Sequence, residues 1–238
     1  MATTTQETVE SGLFVAIEGG DGSGKGTQAE LLRLHAENVL AMHVMKLSFP
    51  QYGDDSAYFA GRYLDGEYGE ADDVPADLAS LAYAIDRFAA TPKIIRHLKI
   101  PNSLVIADRF VGSNLAHQGT KIQDKMARLA FYQRMMHTEH DILGIPRPHK
   151  NIVLVMPTDL AQANVDKKDA RSYTTKKRDI HEANASHLDR AKANFAELCM
   201  LYPELYTAIQ CVDDSGQMRS IEDIQQEIQS LLGLSRRI

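Results

Sequence analysis

The stretch that decides the fold runs from Leu13 to Gln28 and reads Leu-Phe-Val-Ala-Ile-Glu-Gly-Gly-Asp-Gly-Ser-Gly-Lys-Gly-Thr-Gln. Its beginning, Leu13 to Glu18, is almost wholly apolar and predicts a strand buried on both faces. A glycine-rich turn follows, and a helix is predicted to begin at Lys25. Such a turn aims backbone N–H groups, a helix N-terminus and one ammonium at the same small volume. The sequence therefore predicts a phosphate site.

This segment nearly matches the P-loop, in which two glycines separated by four residues precede lysine and then serine or threonine. Gly19 and Gly24 hold the glycine positions, and Lys25 supplies a positive charge for the outer phosphates. Gly26 departs from the pattern because it offers no hydroxyl to Mg²⁺, and the nearest hydroxyl is that of Thr27. The predicted nucleotide-binding residues are Gly19, Gly20, Asp21, Gly22, Ser23, Gly24, Lys25, Gly26 and Thr27.

Length and composition bound the rest of the prediction. The 238 residues fit one α/β domain with an insertion or two small domains, and the net charge of −6 disfavours nonspecific nucleic-acid binding. Residues 1–12 are predicted to be a flexible tail rather than a signal peptide, and no apolar run reaches the ~18 residues of a membrane span. Neither Cys199 nor Cys211 lies in a metal-binding pair. We expect a cytoplasmic protein without membrane or nucleic-acid partners.

Short apolar runs alternate with helical patterns along the chain. After the first strand, further strands are predicted at His43 to Phe49, Ser103 to Ala107, Asn151 to Met156 and Ala208 to Val212. A long helical pattern from Pro75 to about Leu98 places Leu81, Ile85, Phe88 and Ala89 on one side. This alternation predicts a three-layer α/β fold of the P-loop kinase type, with a five-stranded parallel sheet flanked by helices. Residues 13–238 are predicted to form a single domain.

The predicted third strand delivers Asp108 and Arg109 at its carboxyl end. In open α/β sheets ligands bind beyond the carboxyl ends of the strands, so this pair is expected to face the same crevice as Lys25. Asp108 can hold a magnesium water, and Arg109 can bind phosphate oxygens. The next residues, Val111 to Gly119, are too polar and glycine-rich for buried structure and are predicted to form a substrate loop.

Three charged segments invite different interpretations. Asp54 to Asp77 holds eight acidic residues and one basic residue, and is interpreted as a solvated outer helix and loop. His137 and His140, with Asp141 beside them, have a spacing that a metal site tolerates. The sequence specifies no further ligand, so a solvated helix face is favoured. Lys167 to Arg178 holds six basic residues and one acidic residue. Because the protein is acidic and already has a phosphate site, we interpret residues 166–182 as a basic lid.

Several of these segments together resemble the thymidylate kinases. The resemblance rests on Phe14 to Lys25, on Tyr83-Ala84-Ile85-Asp86-Arg87, on Asp108-Arg109-Phe110 with Ser113 and Gln118-Gly119, and on Arg178-Asp179-Ile180-His181-Glu182. They extend from the first strand to the lid in the family's order and cover most of the chain. The resemblance implies transfer of the ATP γ-phosphoryl group to dTMP with Mg²⁺, in a homodimer.

The resemblance also implies roles for single residues. Asp21 resembles the family's carboxylate near the acceptor 3′-hydroxyl, Tyr83 the aromatic residue that stacks on thymine, and Arg87 the arginine that reads the base edge. Arg109 would hold the acceptor phosphate. Phe49, Ser113 and Gln118 complete the implied substrate site, and Thr27 and Asp108 the metal site. The implied catalytic cations are Lys25, Arg109, Arg171 and Arg178.

The sequence departs from the family at three places. Gly26 is followed by Thr27 as in adenylate kinases, His117 stands where tyrosine is common, and Gln51 replaces an arginine often found after Phe49-Pro50. The P-loop also lacks the arginine of some members, so the lid would have to supply the catalytic one. A kinase for dUMP, AMP or a nucleoside therefore stays open, with Glu18 as the base that a nucleoside kinase would need. A non-catalytic ATP-binding regulator is another alternative, and a nucleic-acid-binding P-loop protein is a third.

Overall fold

The structure, a computed structural model, describes residues 12–166 and 185–235 of the chain. The expected N-terminal tail and nearly all of the expected lid therefore lie outside the described residues. Along the chain the elements are β1 (Leu13–Gly19), α1 (Lys25–Asn38), β2 (His43–Ser48), α2 (Tyr58–Leu64), α3 (Ala76–Leu98), β3 (Ser103–Asp108), α4 (Val111–Gly119), α5 (Lys125–Met136), a π-helix (His137–Ile142), β4 (Lys150–Val155), α6 (Thr158–Asp166), α7 (Ala185–Leu201), β5 (Tyr206–Gln210) and α8 (Ile221–Leu231).

The strands form one parallel sheet in the order β2-β3-β1-β4-β5. This confirms the predicted five-stranded parallel sheet and the α/β class. The fifth strand begins earlier than predicted, because Tyr206 already pairs with Asn151 of β4 and is buried. Since β1 is central, the glycine-rich turn that follows it lies at the middle of the sheet edge, where ligands of such folds bind.

Successive residues of β1 point to opposite faces of the sheet, and each face has its own apolar core. Phe14 and Ala16 pack in one cluster, which includes Ile94 of α3. Val15 and Ile17 pack in the other, which includes Leu32 of α1 and is closed by α8. A strand covered by helices on both sides must be apolar at every position, which explains the continuous apolar run of β1.

The helix α3 is inverted relative to an ordinary amphipathic helix. Over most of its length the buried side is small or polar, with Ser80, Ala84, Asp86 and Arg87, and large apolar residues are buried only near its end, at Ile94 and Leu98. The other large apolar side chains point outward, with exposed fractions of 61% for Leu78, 41% for Leu81, 46% for Ile85, 50% for Phe88 and 39% for Ile95. Among the described residues, no helix is long and apolar enough to cross a membrane.

The predicted substrate loop from Val111 to Gly119 is wrong. These residues form α4, and all of them are buried. Val111, Leu115 and Ala116 join the apolar core, while Ser113 donates a hydrogen bond to Glu18 in β1. Ser113 and Asn114 of this stretch bond to the buried carboxylates of Glu18 and Glu139, so polar residues here do not indicate an exposed loop.

The helix predicted from Lys121 to Ile142 is shorter and changes type. It begins after Asp124, which caps it by accepting from the Ala127 N–H, and it passes into the π-helix at His137. The predicted solvated face agrees with the structure at His137 and Asp141, which pair and are exposed, but is wrong at His140, which is partly buried with its Nδ1 2.8 Å from the Ile145 carbonyl. No cluster of three metal-ligating side chains is found within residues 12–166 and 185–235.

Candidate active site

A cavity of about 290 Å³ lies at the carboxyl end of the sheet. Its walls come from the turn after β1, the segment after β2, the helix α3, the end of β3 and the helix α4. The lining residues are Asp21, Gly22, Gly24, Lys25, Gly26, Phe49, Pro50, Tyr52, Leu64, Tyr83, Arg87, Asp108, Arg109, Phe110, Ser113, Asn114, His117 and Gln118.

The turn from Gly19 to Gly24 requires glycine for two reasons. Gly19, Gly22 and Gly24 have positive φ values of 135°, 78° and 89°, which side chains rarely adopt. A Cβ atom at Gly22 would also lie 2.0 Å from the carbonyl oxygen of Ala161 in α6. Gly24 precedes α1 directly, so the free N–H groups of the first helical turn face the cavity side of the loop. The glycines of this turn are therefore required both by the backbone conformation and by close packing against α6.

Lys25 is a nearly buried ammonium at the start of α1, and its Nζ donates to the Gly20 carbonyl over 2.6 Å. Burial and, to a smaller extent, the neighbouring Arg109 guanidinium lower the pKa of Lys25 to about 8, although the carboxylates of Asp21 and Asp108 oppose the shift. The Lys25 ammonium therefore contacts little water. A phosphate bound in the loop would give this ammonium an ionic partner in place of the water that burial removes.

The position after the lysine is open, and a carboxylate lies beside it. A Cβ at Gly26 would lie 3.2 Å from Oδ2 of Asp108, so Asp108 stands next to the place where a P-loop hydroxyl would be. Thr27 is exposed on α1 and is not among the cavity-lining residues. One carboxylate with phosphate oxygens and waters is a normal set of ligands for Mg²⁺, so these residues fit that ion.

Arg109 is placed by an unusual backbone conformation directly after β3. Its φ is 65°, which is uncommon for a residue with a side chain and tends to occur at functional sites. Its Nη1 donates to the Gly19 carbonyl over 3.2 Å and to Ser113 Oγ over 3.3 Å, and its Nη2 pairs with Asp21. Burial opposes its charge, but the carboxylates of Asp21 and Asp108 outweigh that effect and raise the pKa of the guanidinium.

Glu18 lies beneath this site rather than in it. It is fully buried, accepts from the Phe110 N–H over 3.1 Å and from the Ser113 hydroxyl, and is not among the cavity-lining residues. Burial raises the pKa of Glu18, and the hydrogen bond from Ser113 and the charge of Arg109 only partly offset that effect. Its carboxylate thus joins the end of β3 and the start of α4 to β1.

The far half of the cavity has aromatic walls. Tyr83 is half-buried on α3, with its ring edge-on to Tyr63 at 6.2 Å between centroids. Phe49 is buried against Phe110, with ring centroids 5.5 Å apart. Gln51 stands where thymidylate kinases often have arginine. Its Oε1 accepts a hydrogen bond from Lys93 Nζ over 2.6 Å, and its backbone N–H donates to Asp86 over 2.7 Å. These bonds tie the segment after β2 to α3.

Arg87 reaches the cavity from the buried side of α3. Its Nε and Nη2 donate to the two carboxylate oxygens of Glu139 over 2.6 and 2.7 Å, and both side chains are almost completely buried. Asn114 of α4 also lines the cavity and donates its Nδ2 to Glu139 over 2.9 Å. The Oδ1 of Asn114 is buried and makes no hydrogen bond with the described residues.

Two polar residues at the end of α4 complete the wall. Gln118 accepts from the Tyr63 hydroxyl over 3.4 Å, while its buried Nε2 has no hydrogen-bond partner within the described residues. Nε2 of His117 lies 3.5 Å from Nη1 of Arg109, and Nδ1 of His117 lies 3.2 Å from Nε2 of His187 in α7. Burial lowers the pKa of His187 to about 4, so this histidine is neutral at ordinary pH.

The structure brings together most of the residues that the sequence indicated. Asp21, Tyr83, Arg87, Asp108 and Arg109 line the same cavity as Lys25, with Phe49, Ser113 and Gln118. Arg171 and Arg178 lie outside the described residues. Asn114 and Glu139 were missed. Asn114 lay in the stretch interpreted as a loop, and Glu139 lies in a π-helix that leaves no simple periodicity in the sequence.

A phosphate-binding turn after the central strand, a buried lysine at a helix N-terminus and a second cation after the neighbouring strand define a P-loop phosphotransferase. The family model "Thymidylate kinase" matches residues 17–214. A thymidylate kinase of Mycobacterium tuberculosis (strain H37Rv) is 33% identical over 189 residues, covering 78% of this chain and 85% of the relative. One of Symbiobacterium thermophilum is 27% identical over 221 residues, covering 92% of each.

Solved structures agree at the level of the fold. The crystal structure of thymidylate kinase from Ehrlichia chaffeensis superposes with a TM-score of 0.66 at 18% identity, covering 93% of this chain and 99% of that one. Thymidylate kinase from Candida albicans gives a TM-score of 0.64 at 16% identity, covering 94% and 92%. The chain belongs to the thymidylate kinase family. The expected family and fold are thereby confirmed.

Proposed function

We propose that this protein transfers the γ-phosphoryl group of ATP to dTMP, giving ADP and dTDP. The observation that carries the proposal is the single cavity in which Lys25 of the P-loop lies beside Arg109, with Tyr83 and Arg87 at the other end. A phosphoryl donor and a nucleoside monophosphate acceptor meet end to end in such a site. Family membership identifies the donor as ATP and makes dTMP the expected acceptor.

The donor half binds phosphate through backbone and charge. The N–H groups between Gly19 and Thr27 and the Lys25 ammonium would hold the β- and γ-phosphates. Asp108 would hold Mg²⁺ through its waters, and Thr27 offers the hydroxyl that follows Gly26 in the chain. Phosphoryl transfer needs positioning and charge neutralisation more than covalent chemistry. Arg171 and Arg178 of the basic segment are proposed to add positive charge on the transferring group and to exclude water.

The acceptor half is proposed to hold the monophosphate at Arg109, whose Nη1 already lies near Ser113. Asp21 would accept from the 3′-hydroxyl of the sugar. Tyr83 would stack on the base, opposite the wall that Phe49 forms. Gln118 offers a buried Nε2 without a partner among the described residues, which suits a carbonyl or hydroxyl of the bound nucleoside.

The base edge faces one donor and one acceptor. The pair of Arg87 with Glu139 uses Nε–H and one N–H of Nη2, so both N–H groups of Nη1 and the second N–H of Nη2 can donate to a ligand. The Oδ1 of Asn114 is a buried acceptor. Thymine presents a carbonyl beside an N–H, which is the complementary pattern. Cytosine and adenine present the two groups in the reverse order, an amino group beside an unprotonated ring nitrogen, and would meet like groups in the same position.

Two rival functions are weakened by the same geometry. A nucleoside kinase needs a base at the 5′-hydroxyl, but Glu18 is fully buried and occupied by Ser113 and Phe110. A non-catalytic regulator would have no need of Arg109 in a strained conformation beside the P-loop lysine. A dUMP kinase has the same base-edge pattern and differs only at the methyl group, so substrate comparison must separate it.

Label transfer tests the proposal. The protein, [γ-³²P]ATP, Mg²⁺ and dTMP are incubated, and the products are separated by thin-layer chromatography. The label should appear in dTDP, and Lys25→Ala should abolish this transfer while the circular dichroism spectrum is retained. Label that remains in ATP, in protein that binds ATP, would favour the regulator instead. Label in inorganic phosphate alone would contradict transfer to dTMP.

We further propose a homodimer in the cytoplasm, formed through the outward side of α3. The apolar side chains there are Leu78, Leu81, Ile85, Phe88 and Ile95. Their spacing of three and four residues is that of a helix-pairing seam, and large exposed apolar patches usually mark interfaces. Because the opposite side of α3 carries Tyr83 and Arg87, such a dimer would support the acceptor site from behind.

A further inference from the structure

The carboxylate of Glu139 lies behind the base end of the cavity and is not one of its lining residues. It is fully buried in the π-helix His137–Ile142. It contacts two residues that do line the cavity: Arg87 through both of its oxygens, and Asn114 through one. π-Helices occur often at functional sites, because the added residue turns a side chain to a new direction.

Both contacts of the Asn114 amide nitrogen fix its orientation. Nδ2 donates to Glu139 Oε1 over 2.9 Å and to the Ser80 carbonyl over 3.3 Å. A carboxylate paired with arginine and a backbone carbonyl can only accept, so the amide cannot be reversed without placing Oδ1 against them. Oδ1 is therefore directed away from Glu139 and remains available as an acceptor at the cavity wall.

We propose that Glu139 is a positioning residue that determines base specificity: by holding Arg87 as donor and Asn114 as acceptor, it selects a base that presents a carbonyl beside an N–H. The inference rests on the proposed function, since it concerns the base of the phosphoryl acceptor. Thymine and uracil have this pattern; guanine has it too, so the selection concerns the pyrimidine bases. Cytosine has the reverse pattern and is rejected because two buried polar groups would face like groups.

The test is Glu139→Gln, with kcat/KM measured separately for dTMP and dCMP. An amide at position 139 has only one acceptor oxygen, so it cannot accept from Arg87 at both positions and from Asn114 as the carboxylate does. Arg87 and Asn114 are then no longer held in the arrangement that favours thymine. The ratio of kcat/KM for dTMP to that for dCMP should fall by about tenfold or more. The KM for ATP should be unchanged, which also shows that the variant is folded.

A matched control is Glu197→Gln. Glu197 also binds an arginine through both oxygens, here Arg128, and accepts from the Tyr132 hydroxyl, but it lies outside the cavity. This variant should leave the dTMP to dCMP ratio unchanged even if its melting temperature falls. Should Glu139→Gln fail to bind ATP, Glu139→Asp replaces it. Its shorter carboxylate withdraws from Asn114, and the same ratio should fall.

The outcomes separate the inference from the proposed function. If the wild-type protein prefers dTMP and the folded variant keeps the wild-type ratio, or loses both activities equally, Glu139 is a structural residue and the inference is overturned. If the wild-type protein does not phosphorylate dTMP, the proposed function fails first. A lower ratio in the position-139 variant, with the control variant unchanged, supports the inference.

Discussion

Lys25 combines two demands that conflict in the free protein, because it must be charged to bind phosphate and yet is buried. Its pKa of about 8 is the consequence. Asp21 and Asp108 limit the fall in this pKa, and Arg109 adds to it. Bound phosphates would restore the charge, since an anion within a few ångströms favours the protonated amine. The affinity of the free protein for ATP should therefore depend on pH near neutrality.

This dependence gives a prediction. The value of kcat/KM for ATP should decrease above about pH 8 as the free protein loses the Lys25 proton, whereas kcat should be less affected because bound ATP raises the pKa of Lys25. Initial rates measured between pH 6 and about pH 10 would give kcat/KM and kcat across the whole transition. In Lys25→Arg the activity should be lower and this decrease should vanish. An unchanged decrease in that variant would assign the titration to another group.

The same shift affects stability in a defined direction. The unfolded Lys25 titrates at 10.5 and the folded one at about 8, so between these values the unfolded chain binds more protons. Its contribution to the free energy of unfolding therefore rises with pH across this window and is lowest below it. The buried ammonium is thus a stability cost accepted at a binding site.

Tyr83 supports a second prediction. Tyr83→Ala should raise the KM for dTMP by the loss of stacking, worth about 1–3 kcal/mol, with little change in the KM for ATP. Steady-state kinetics with each substrate varied in turn would measure this. Tyr68→Ala is the control, because Tyr68 is exposed and is not among the cavity-lining residues. A kinetically silent Tyr83→Ala would show that the base does not stack there.

Among the elements, α4 depends most on close packing. Gly112 is its second residue, and a Cβ there would lie 2.8 Å from both Glu18 Oε1 and Tyr206 Cε1. Gly112→Ala should push α4 away from β1, reduce the free energy of unfolding by about 1–3 kcal/mol and raise the KM for dTMP through displacement of Ser113. Urea denaturation and kinetics would measure the two effects.

Gly61→Ala is the matched control for that prediction. Gly61 lies inside α2, and a Cβ there would meet nothing within 4 Å. The substitution should stabilise the protein by about 0.5–1 kcal/mol, since alanine is the better helix former. If Gly112→Ala also stabilised the protein, the close contact between α4 and β1 would not be as described.

The elements differ in how well sequence predicts them. Strands buried on both faces are marked by continuous apolar runs, so β1 and β3 were predicted almost to the residue. For α4 the same logic failed, because its polar side chains bond to Glu18, Glu139 and His187, which are distant in sequence. The π-helix has no sequence signature, so the inward direction of Glu139 could not be foreseen.

The whole molecule presents an apolar seam on α3 that the fold itself does not use. The sequence placed these side chains on one side of a helix, but periodicity alone does not tell which side faces the core. The buried side instead holds Arg87, which lines the cavity, and Asp86, which bonds to Gln51 in the segment after β2. A functional requirement on one side of α3 thus explains why the apolar side faces outward.

Charge on that seam should separate the subunits. For Ile85→Glu we expect the mass by light scattering to fall from twice the chain mass of 26.5 kDa to the single value. Burying an unpaired carboxylate in an apolar interface is strongly unfavourable. Leu231→Glu, at an equally exposed leucine of α8, should leave the mass unchanged. A wild-type protein that is monomeric at micromolar concentration would contradict the proposed dimer.

At the scale of the whole molecule the sequence predicted a five-stranded parallel sheet and a phosphate site after its first strand, because each follows from local patterns and the geometry of α/β folds. It did not predict the order of the strands. The acceptor end could be reached only through family resemblance. Its walls come from segments after β2, on α3 and on α4, and only folding shows that Asn114 and Arg87 share Glu139.

The most direct test of the central claim is kcat/KM for a panel of acceptors, measured by coupled ADP release with ATP and Mg²⁺. The acceptors are dTMP, dUMP, dCMP, dGMP, dAMP, AMP and thymidine. We predict the highest value for dTMP, a lower value for dUMP and little activity with dCMP or thymidine. A preference for dCMP, AMP or thymidine over dTMP, or no turnover with any acceptor in protein that binds ATP, would contradict the account.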